Sequence, residues 1–518
     1  MNSPSVFDKQ TGIQQRSRVE GHYVTVMVAA VIVACVLRVL LLGQSSLWVD
    51  EIWSIRIAGL PWRAFFWTVR NQDPNMILYY VLLHGWMLLG DSEAIVRALS
   101  VAAGVATVPI VYAIGVRLYD KKSAAISAIL LAVNAFHVQW SQEARSYSML
   151  VLLVTLSTFF FILSVKQPSR LTLILYVLLS SLALYAHIYG ALVIAAQAGS
   201  LIFLRRGDIK HWRGLVGSAA AIGVAASPLL ALMIDRTRHP WLPLDWLTRP
   251  TLHDIYDKFY SLAGNTEFPG SHGGKVVLTA YAIVCALPLI SWIRNWRAGR
   301  SLERWGTPLL ASWLFLPIGL ALAVSFVQPM FLSRYLIICI PALVLLAGHG
   351  IASLHPESLS ATALAVLVIL AVERLPQYYE HRSEFRQWKA VTDDLVRRSQ
   401  PGDAALFCIA PGWLLFDYYR DRYHQSSPGY VSVIYPPAAN AAIDPRALDY
   451  LPPLDTGALG AELRRHRRVW LVVYHDFFSE TRAMRDRIRA ALAADYGDVQ
   501  TTNYDGVSVA LYSNSNTK

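Results

Sequence analysis

Residues 46–53 read Ser-Leu-Trp-Val-Asp-Glu-Ile-Trp and follow an apolar run at 22–43. Two adjacent carboxylates, Asp50 and Glu51, lie between two tryptophans in this stretch. A carboxylate at the centre of a bilayer costs about 2.5–3.5 kcal/mol on insertion scales, whereas tryptophan is enriched at the membrane–water boundary. The stretch therefore predicts a loop that leaves the membrane and keeps its acidic pair at the water boundary.

The composition indicates a polytopic membrane protein. Hydrophobic residues make up 55% of the 518 residues, charged residues only 16%, and the mean hydropathy is +0.38. The formal net charge is +11, but Lys and Arg concentrate in short connections between apolar runs, which is a topology signal and argues against nucleic-acid binding. The four cysteines are far apart and three lie in apolar runs, so they indicate neither a disulfide framework nor a metal site.

Eleven apolar runs are each close to the length that crosses about 30 Å of hydrocarbon. They are 22–43, 94–116, 123–139, 147–165, 171–186, 188–204, 214–234, 275–293, 308–327, 335–352 and 358–373. A shorter run, 77–90, is predicted to be an interfacial or re-entrant helix, because a crossing there would move the later basic connections to the side opposite Arg16 and Arg18. This topology predicts a cytoplasmic N-terminus and an external tail.

Polar residues collect at the predicted outer face. They come from 50–75, the turns 142–147 and 185–190, the long loop 235–274, and 333–335. Loop 235–274 contains Trp241-Leu242-Pro243 and, at 256–260, a stretch that suits a helix on the membrane surface. Long loops without crossing segments are commonly functional, so this loop is predicted to act as a lid. Five polar clusters on one face indicate a site rather than isolated helix caps.

Carboxylates together with several arginines at the outer face of a membrane fit the transfer of a sugar from a lipid phosphate. Arginine stabilises the phosphate leaving group as the anomeric bond breaks. An ionised carboxylate can take the proton of the attacking hydroxyl, and a single displacement inverts the anomeric centre. The alternative is a membrane transporter or flippase of a lipid-linked glycan, which would carry ionisable groups near mid-membrane in two related halves. This sequence has no evident internal repeat.

Motifs spread over about residues 44–345 resemble the GT-C superfamily of integral-membrane glycosyltransferases. They are Leu47-Trp48-Val49-Asp50-Glu51, Asp73-Pro74-Asn75 leading to Tyr80 and His84, Gly90-Asp91-Ser92-Glu93 with Arg97, 137–147, His187-Ile188-Tyr189-Gly190 and Arg334-Tyr335. Within the superfamily the chain is similar to the bacterial branch of protein O-mannosyltransferases and the aminoarabinose transferase of lipid A. The resemblance implies a polytopic α-helical membrane protein of GT-C type, with about eleven transmembrane helices plus juxtamembrane helices. It also implies the bacterial inner membrane, with the active site and tail on the periplasmic side.

The resemblance further implies roles for individual residues. Catalysis is expected from Asp50, Glu51 and Glu143, phosphate binding from Arg145, Arg334 and Arg56, and substrate binding from His187, Tyr189 and Tyr335. The implied partners are a polyprenyl-phosphate sugar donor and a lipid, glycan or protein acceptor. The stretch 73–76 has one proline and no lysine, unlike many relatives. No metal or other cofactor is assigned, although a divalent metal is left open.

The tail, 374–518, has the composition of a soluble domain and is predicted to be separate from a transmembrane catalytic domain, 1–373. Strand-like stretches at 404–408, 431–435, 469–475 and 507–512 alternate with helical patterns near 384–398, 411–420, 457–466 and 480–495. This alternation predicts a small α/β layer with mainly parallel strands. No glycine-rich fingerprint follows a strand, which argues against a nucleotide domain. The tail is predicted to shape acceptor access, with a purely structural role as the alternative.

Overall fold

The computed structural model describes residues 6–209, 211–238, 249–266, 274–295, 301–384, 387–408, 410–423, 432–435, 456–474, 479–504 and 506–514. The chain divides into two compact units. Unit 1 consists of Met1–Leu42, Val69–Thr237 and Leu244–Tyr378, and unit 2 of Gly43–Thr68, Arg238–Pro243 and Tyr379–Lys518. The loop that carries Asp50 and Glu51 therefore belongs to the same unit as most of the tail. The division into domains 1–373 and 374–518 stays a prediction.

Helices and strands are numbered here along the chain. The helices are α1 (Val6–Val39), α2 (Val49–Ala58), α3 (Trp62–Asn71), α4 (Ile77–Trp86), α5 (Glu93–Leu118), α6 (Lys121–Val133), α7 (Ala135–Ser141), α8 (Tyr147–Lys166), α9 (Arg170–Ala186), α10 (Gly190–Ser200), α11 (Trp212–Arg238), α12 (Leu252–Leu262), α13 (Gly274–Arg294), α14 (Gly306–Ser325), α15 (Ile340–Ala352), α16 (Glu357–Val372), α17 (Arg374–Glu384), α18 (Trp388–Arg398), α19 (Ala410–Tyr423), α20 (Thr456–Leu463) and α21 (Ser479–Ala493). The strands are β1 (Ala404–Phe407), β2 (Ser432–Tyr435), β3 (Arg468–Tyr474), β4 (Asp498–Tyr504) and β5 (Val507–Ser513). Short 3-10 segments include Pro74–Met76 and Ser333–Cys339.

The chain is a polytopic α-helical membrane protein. Among the described residues eight helices are long and apolar enough to cross a membrane, and the bent pair α6 and α7 would make nine. These nine correspond to predicted runs, and the two remaining runs, 171–186 and 188–204, are shorter apolar helices, Arg170–Ala186 and Gly190–Phe203. The run 77–90 lies in a third short apolar helix, Pro74–Leu89. Eleven crossings and their orientation stay predictions.

A sharp bend separates α6 from α7, and side chains hold it. The two helices differ in direction by 59°, and the Asn134 side chain accepts from the backbone N of His137 at the start of α7. Carbonyls at a helix end lack intrahelical partners, and the guanidinium of Arg38 donates to those of Leu131 and Ala132. Arg38 is fully buried and also donates to Nδ1 of His137 at 2.8 Å. Its charge therefore faces the bundle interior, where polar acceptors surround it.

The turn after α7 is tied to the end of α1 through Gln142. Its Nε2 donates to the carbonyls of Arg38 and Leu40, at 3.0 and 2.9 Å. Its Oε1 accepts from the hydroxyl of Tyr378 at 2.8 Å. Gln142 thus caps the carbonyls that α1 leaves open, and this cap fixes the backbone next to Glu143.

The predicted lid is described in part. Residues 239–248 and 267–273 lie outside the described residues. The described part contains α12, so the stretch 256–260 is helical as its sequence predicts. α12 packs against the 3-10 segment Ser333–Cys339, which carries Arg334 and Tyr335.

Unit 2 contains a five-stranded sheet in the order β2-β1-β3-β5-β4. β2, β1 and β3 pair in parallel, whereas β5 pairs antiparallel with both β3 and β4. The four predicted strands are present, but β4 is additional, and the sheet is mixed rather than mainly parallel. β4 is a polar edge strand without an apolar pattern, and it pairs through a tight connection at Gly506. There φ is +74°, a conformation that glycine adopts without steric cost.

Candidate active site

Three turns of unit 1 bring aromatic side chains together. His187 and Tyr189 lie between α9 and α10, Tyr147 begins α8, and Tyr335 lies in the 3-10 segment Ser333–Cys339. The ring of Tyr335 is centred 4.9 Å from the rings of both His187 and Tyr189, and 6.2 Å from that of Tyr147. These four side chains form what we call the aromatic cluster. The three residues that the resemblance assigns to substrate binding are therefore neighbours.

Two arginines flank the aromatic cluster. The Cζ of Arg145 lies 5.9 Å from the centre of the Tyr147 ring, and the Cζ of Arg334 lies 5.8 Å from the centre of the Tyr335 ring. Both guanidinium groups also act electrostatically on His187. Arg145 is only 6% exposed, so water screens its charge poorly. Two of the three arginines expected to bind phosphate thus lie beside the same cluster.

His187 is buried in a turn outside the membrane-spanning helices. Burial, then Arg145 and Arg334, lower its pKa from the ordinary 6.5 to about 3. Both ring nitrogens face N–H groups: Nε2 lies 3.0 Å from Nδ2 of Asn75, and Nδ1 lies 3.2 Å from the backbone N of Tyr189. A neutral ring can accept at one of these two nitrogens, whereas a protonated ring carries N–H donors at both and can accept at neither. His187 is therefore neutral at physiological pH and adds no third positive charge.

Asn75 connects the segment Asp73-Pro74-Asn75 to the aromatic cluster. Its Oδ1 accepts from the backbone N of Ile188 at 3.0 Å, while its Nδ2 contacts His187. Asp73 holds Asn75 in turn, because Oδ1 of Asp73 accepts from the Asn75 backbone at 3.3 Å and Oδ2 accepts from the Tyr80 hydroxyl at 2.5 Å. Asn75 thus positions the turn 187–189, a role that the sequence motif alone does not reveal.

Glu143 lies in the turn that leads to Arg145. Its side chain is 1% exposed, and its carbonyl accepts from the backbone N of Arg145 at 2.7 Å. The hydroxyl of Ser100 on α5 donates to the carbonyl of Arg145 at 3.0 Å, and Ser148 donates back to the Ser100 carbonyl at 2.8 Å. Gln142 holds the beginning of this turn through its bonds to the end of α1, and Ser100 holds its end. The backbone of Arg145 is therefore fixed in position.

Asp50 and Glu51 are adjacent in unit 2, yet their surroundings differ. Glu51 is fully buried, and its Oε2 accepts from the backbone N of Trp48 at 3.2 Å. A carboxylate at this position caps the first turn of a helix, so Glu51 stabilises the start of α2. Asp50 is only partly buried, which leaves part of its side chain accessible. Glu51 therefore makes a structural contact, whereas water can reach Asp50.

Arg56, expected from the sequence to bind phosphate, has a carboxylate partner in the tail. Its Nη2 lies 2.7 Å from Oδ2 of Asp417 on α19. Asp417 also accepts from Arg420 at 2.6 Å through its other oxygen. Arg56 thus lies in unit 2 and is engaged in an ion pair, and the sequence holds no signal that Asp417 would meet it.

A further cation near the 3-10 segment was not among the predicted site residues. Lys258 on α12 is 9% exposed, and its Nζ lies 5.6 Å from the centre of the Phe331 ring. Lys258 shares the buried face of α12 with Ser261 and Leu262. Its spacing to these residues could have marked it as inward-facing. Among the described residues no group of three or more His, Cys, Asp or Glu side chains is arranged to hold a metal ion.

Comparisons with known proteins agree with the sequence resemblance. The family model described as dolichyl-phosphate-mannose-protein mannosyltransferase matches residues 73–231. No curated protein sequence matches the chain. The matched segment includes Asn75, Glu143, Arg145 and His187.

Solved structures share the fold at low sequence identity. ArnT from Cupriavidus metallidurans in the apo state has a TM-score of 0.59 at 13% identity, over 95% of this chain and 98% of that chain. The same protein bound to undecaprenyl phosphate has a TM-score of 0.59 at 14% identity, over 94% and 98%. The oligosaccharyltransferase of Archaeoglobus fulgidus, in complex with Zn and sulfate, has a TM-score of 0.50 at 12% identity, over 94% of this chain and 73% of that chain.

The resemblance to GT-C membrane glycosyltransferases is therefore confirmed, including the likeness to O-mannosyltransferases and ArnT. The fold is that of a multi-pass membrane protein with a small C-terminal sheet. The family model thus matches part of the chain, and the structural matches show a shared fold.

Proposed function

We propose that the chain transfers a sugar from a polyprenyl-phosphate donor to an acceptor hydroxyl, by one displacement that inverts the anomeric centre. The observation that carries this proposal is the pair Arg145 and Arg334 beside a neutral His187 and the aromatic cluster. A structure of the same fold, ArnT, is described as bound to undecaprenyl phosphate, which supports a lipid phosphate as the ligand. The location proposed is the bacterial inner membrane, with the reaction on the periplasmic side.

In the proposed reaction the two arginines stabilise the leaving phosphate. Negative charge develops on the phosphate oxygen as the anomeric bond breaks, so preorganised cations lower the barrier. A guanidinium presents paired N–H donors that match phosphate oxygens. His187 stays neutral, so it adds no further positive charge beside the two arginines. The tyrosine rings supply apolar faces against which a sugar can pack.

The proposed general base is Asp50. This assignment rests on its place in the stretch 46–53 and on the partial exposure of its side chain. An ionised carboxylate removes the proton of the acceptor hydroxyl as the hydroxyl attacks. Glu143 is proposed to orient the sugar or the acceptor, and Glu51 to hold the start of α2. Arg56 is given no phosphate role here, because it pairs with Asp417.

The decisive experiment uses the full-length protein in nanodiscs with a panel of undecaprenyl-phosphate sugars. We expect release of undecaprenyl phosphate with one member of the panel, and loss of that release in Arg145→Ala and Arg334→Ala. Arg117→Ala is the matched control, because Arg117 is exposed and its side chain donates to Gln167, at 3.3 Å. No release from any donor, with lipid-linked glycan instead moving across proteoliposomes, would indicate a flippase and overturn the proposal.

A further inference from the structure

The tail contacts the acidic loop through hydrogen bonds between distant parts of the sequence. Within unit 2 the hydroxyl of Tyr419 accepts from the backbone N of Leu47 at 2.6 Å, a pair separated by 372 positions. The hydroxyl of Ser46 accepts from the backbone N of Lys389 at 3.0 Å. The loop and the tail are thus joined immediately before α2.

The contact made by Tyr419 is fully enclosed. Both Tyr419 and Leu47 are 0% exposed. A buried backbone N–H without an acceptor costs about 1–3 kcal/mol, so the Tyr419 hydroxyl has a structural reason to stay in place. Leu47 lies three positions before Asp50. The hydroxyl therefore fixes the backbone just before the helix turn that presents this carboxylate.

Two further groups hold the same helix. Glu51 accepts from the backbone N of Trp48, next to the contact made by Tyr419. Asp417 pairs with Arg56 in the last turn of α2 at 2.7 Å. Side chains thus hold both ends of α2. Tyr419 and Glu51 hold the backbone at its start, and Asp417 holds its last turn through Arg56. Asp50 lies between these contacts.

We infer that Tyr419 and Asp417 are positioning residues, through which the C-terminal domain holds the loop that carries Asp50 in its working geometry. This inference rests on the proposed function, in which Asp50 is the base. It assigns the tail a part in turnover rather than a purely structural role. A misplacement of about 1 Å from a change away from the chemistry can cost about 100-fold in rate.

The first test measures the loop itself and needs no substrate. Tyr419→Phe removes only the hydroxyl, and we expect faster hydrogen–deuterium exchange of the amides in 46–53, with exchange in β1 and β3 unchanged. Tyr418→Phe is the matched control on the same helix, because the Tyr418 hydroxyl contacts Arg422 instead. Unchanged exchange in 46–53 for Tyr419→Phe would overturn the inference, whatever the chain catalyses.

The second test measures turnover. We expect Tyr419→Phe and Asp417→Asn to lower kcat by about 10- to 100-fold and to leave the KM for the donor within twofold, since the proposed phosphate ligands belong to unit 1. Asp417→Glu, which retains the carboxylate, should restore part of the rate. Faster exchange with an unchanged kcat would overturn the positioning role. A wild-type protein without transfer to any acceptor would overturn the proposed function. The exchange result would still show whether the Tyr419 hydroxyl holds the loop 46–53.

Discussion

The amide of Asn75 spans two groups of one turn, since its Nδ2 lies 3.0 Å from Nε2 of His187 and its Oδ1 accepts from the backbone N of Ile188. This bridge joins the segment after α3 to the turn between α9 and α10, which are more than a hundred positions apart in the sequence. It holds His187 where burial, and then two arginines, keep the ring neutral. A substitution of Asn75 can therefore change the charge next to His187, on which Arg145 and Arg334 act.

Replacing Asn75 separates the structural role of this bridge from its electrostatic role. Asn75→Ala removes both contacts and should lower the free energy of unfolding by about 1–3 kcal/mol, because the Ile188 N–H loses its acceptor. Asn75→Asp keeps that acceptor but adds a negative charge near the arginines, so it should weaken donor binding more than it lowers stability. Denaturation in detergent and donor titration measure the two effects. Equal loss of donor affinity in both variants would contradict the electrostatic role.

The neutral state of His187 predicts an acid-sensitive stability. Between pH 6.5 and about 3 the unfolded chain binds a proton at this ring that the native chain does not, so stability falls as the pH falls through this window. The slope contributed by one such group is at most about 1.4 kcal/mol per pH unit. His187→Gln should flatten the fall of Tm between pH 6.5 and 4.5.

The exposed His253 supplies the control for this measurement, since its side chain is 80% exposed. His253→Gln should leave the slope of Tm against pH as in the wild type. A His187→Gln variant with the wild-type slope would show that His187 is already protonated in the native protein near pH 6.

Arg334 and Arg145 are predicted to bind the donor phosphate. Arg334→Lys keeps the charge but loses the paired donors, so donor affinity should fall by roughly 1.5–3 kcal/mol if one charge-assisted hydrogen bond is not replaced. Glu143→Gln should instead affect the sugar or acceptor step and leave phosphate affinity nearly unchanged. Titration with undecaprenyl phosphate alone measures the phosphate contribution. A donor-bound structure with the phosphate more than about 6 Å from both guanidinium groups, beyond direct or single-water contact, would transfer the role to Lys258.

The two adjacent carboxylates are predicted to respond differently. Asp50→Asn should lower kcat by about 10²- to 10⁴-fold, because the amide keeps the shape and loses the base. Glu51→Gln should have a much smaller effect, since its amide oxygen can still accept from the backbone N of Trp48. Single-turnover assays with saturating donor compare the two variants directly. A larger loss for Glu51→Gln would assign the base to Glu51.

Arg38 is predicted to be essential for the bend between α6 and α7. Arg38→Leu leaves the carbonyls of Leu131 and Ala132 without their donor, at a cost of about 1–3 kcal/mol for each buried group. Thermal unfolding in detergent should show a clear loss of stability. Arg117→Leu, a change of the same kind at an exposed position, should have little effect. Equal stability of both variants would show that other groups hold the bend.

The apolar runs and the motif order carry most of the fold information. A helix satisfies every backbone N–H and C=O within the segment, as hydrocarbon requires, and each of the eleven predicted runs is α- or 3-10-helical over most of its length. The same reasoning finds four strands of the tail, because buried strands read as continuous apolar runs. It misses β4, whose polar sequence carries no apolar pattern and which pairs with β5 in a hairpin.

Only the tertiary structure decided which polar groups meet. Arg56 and Arg334 look alike in the sequence, as arginines near predicted helix ends, yet Arg56 pairs with Asp417, while Arg334 acts on His187. Asp50 and Glu51 are neighbours in the chain, yet only Glu51 is fully buried as a cap. Helix formation depends on residues a few positions apart, which a sequence displays. Ion pairs, pKa shifts and the contact between Tyr419 and Leu47 depend on groups that only chain folding brings within a few ångströms.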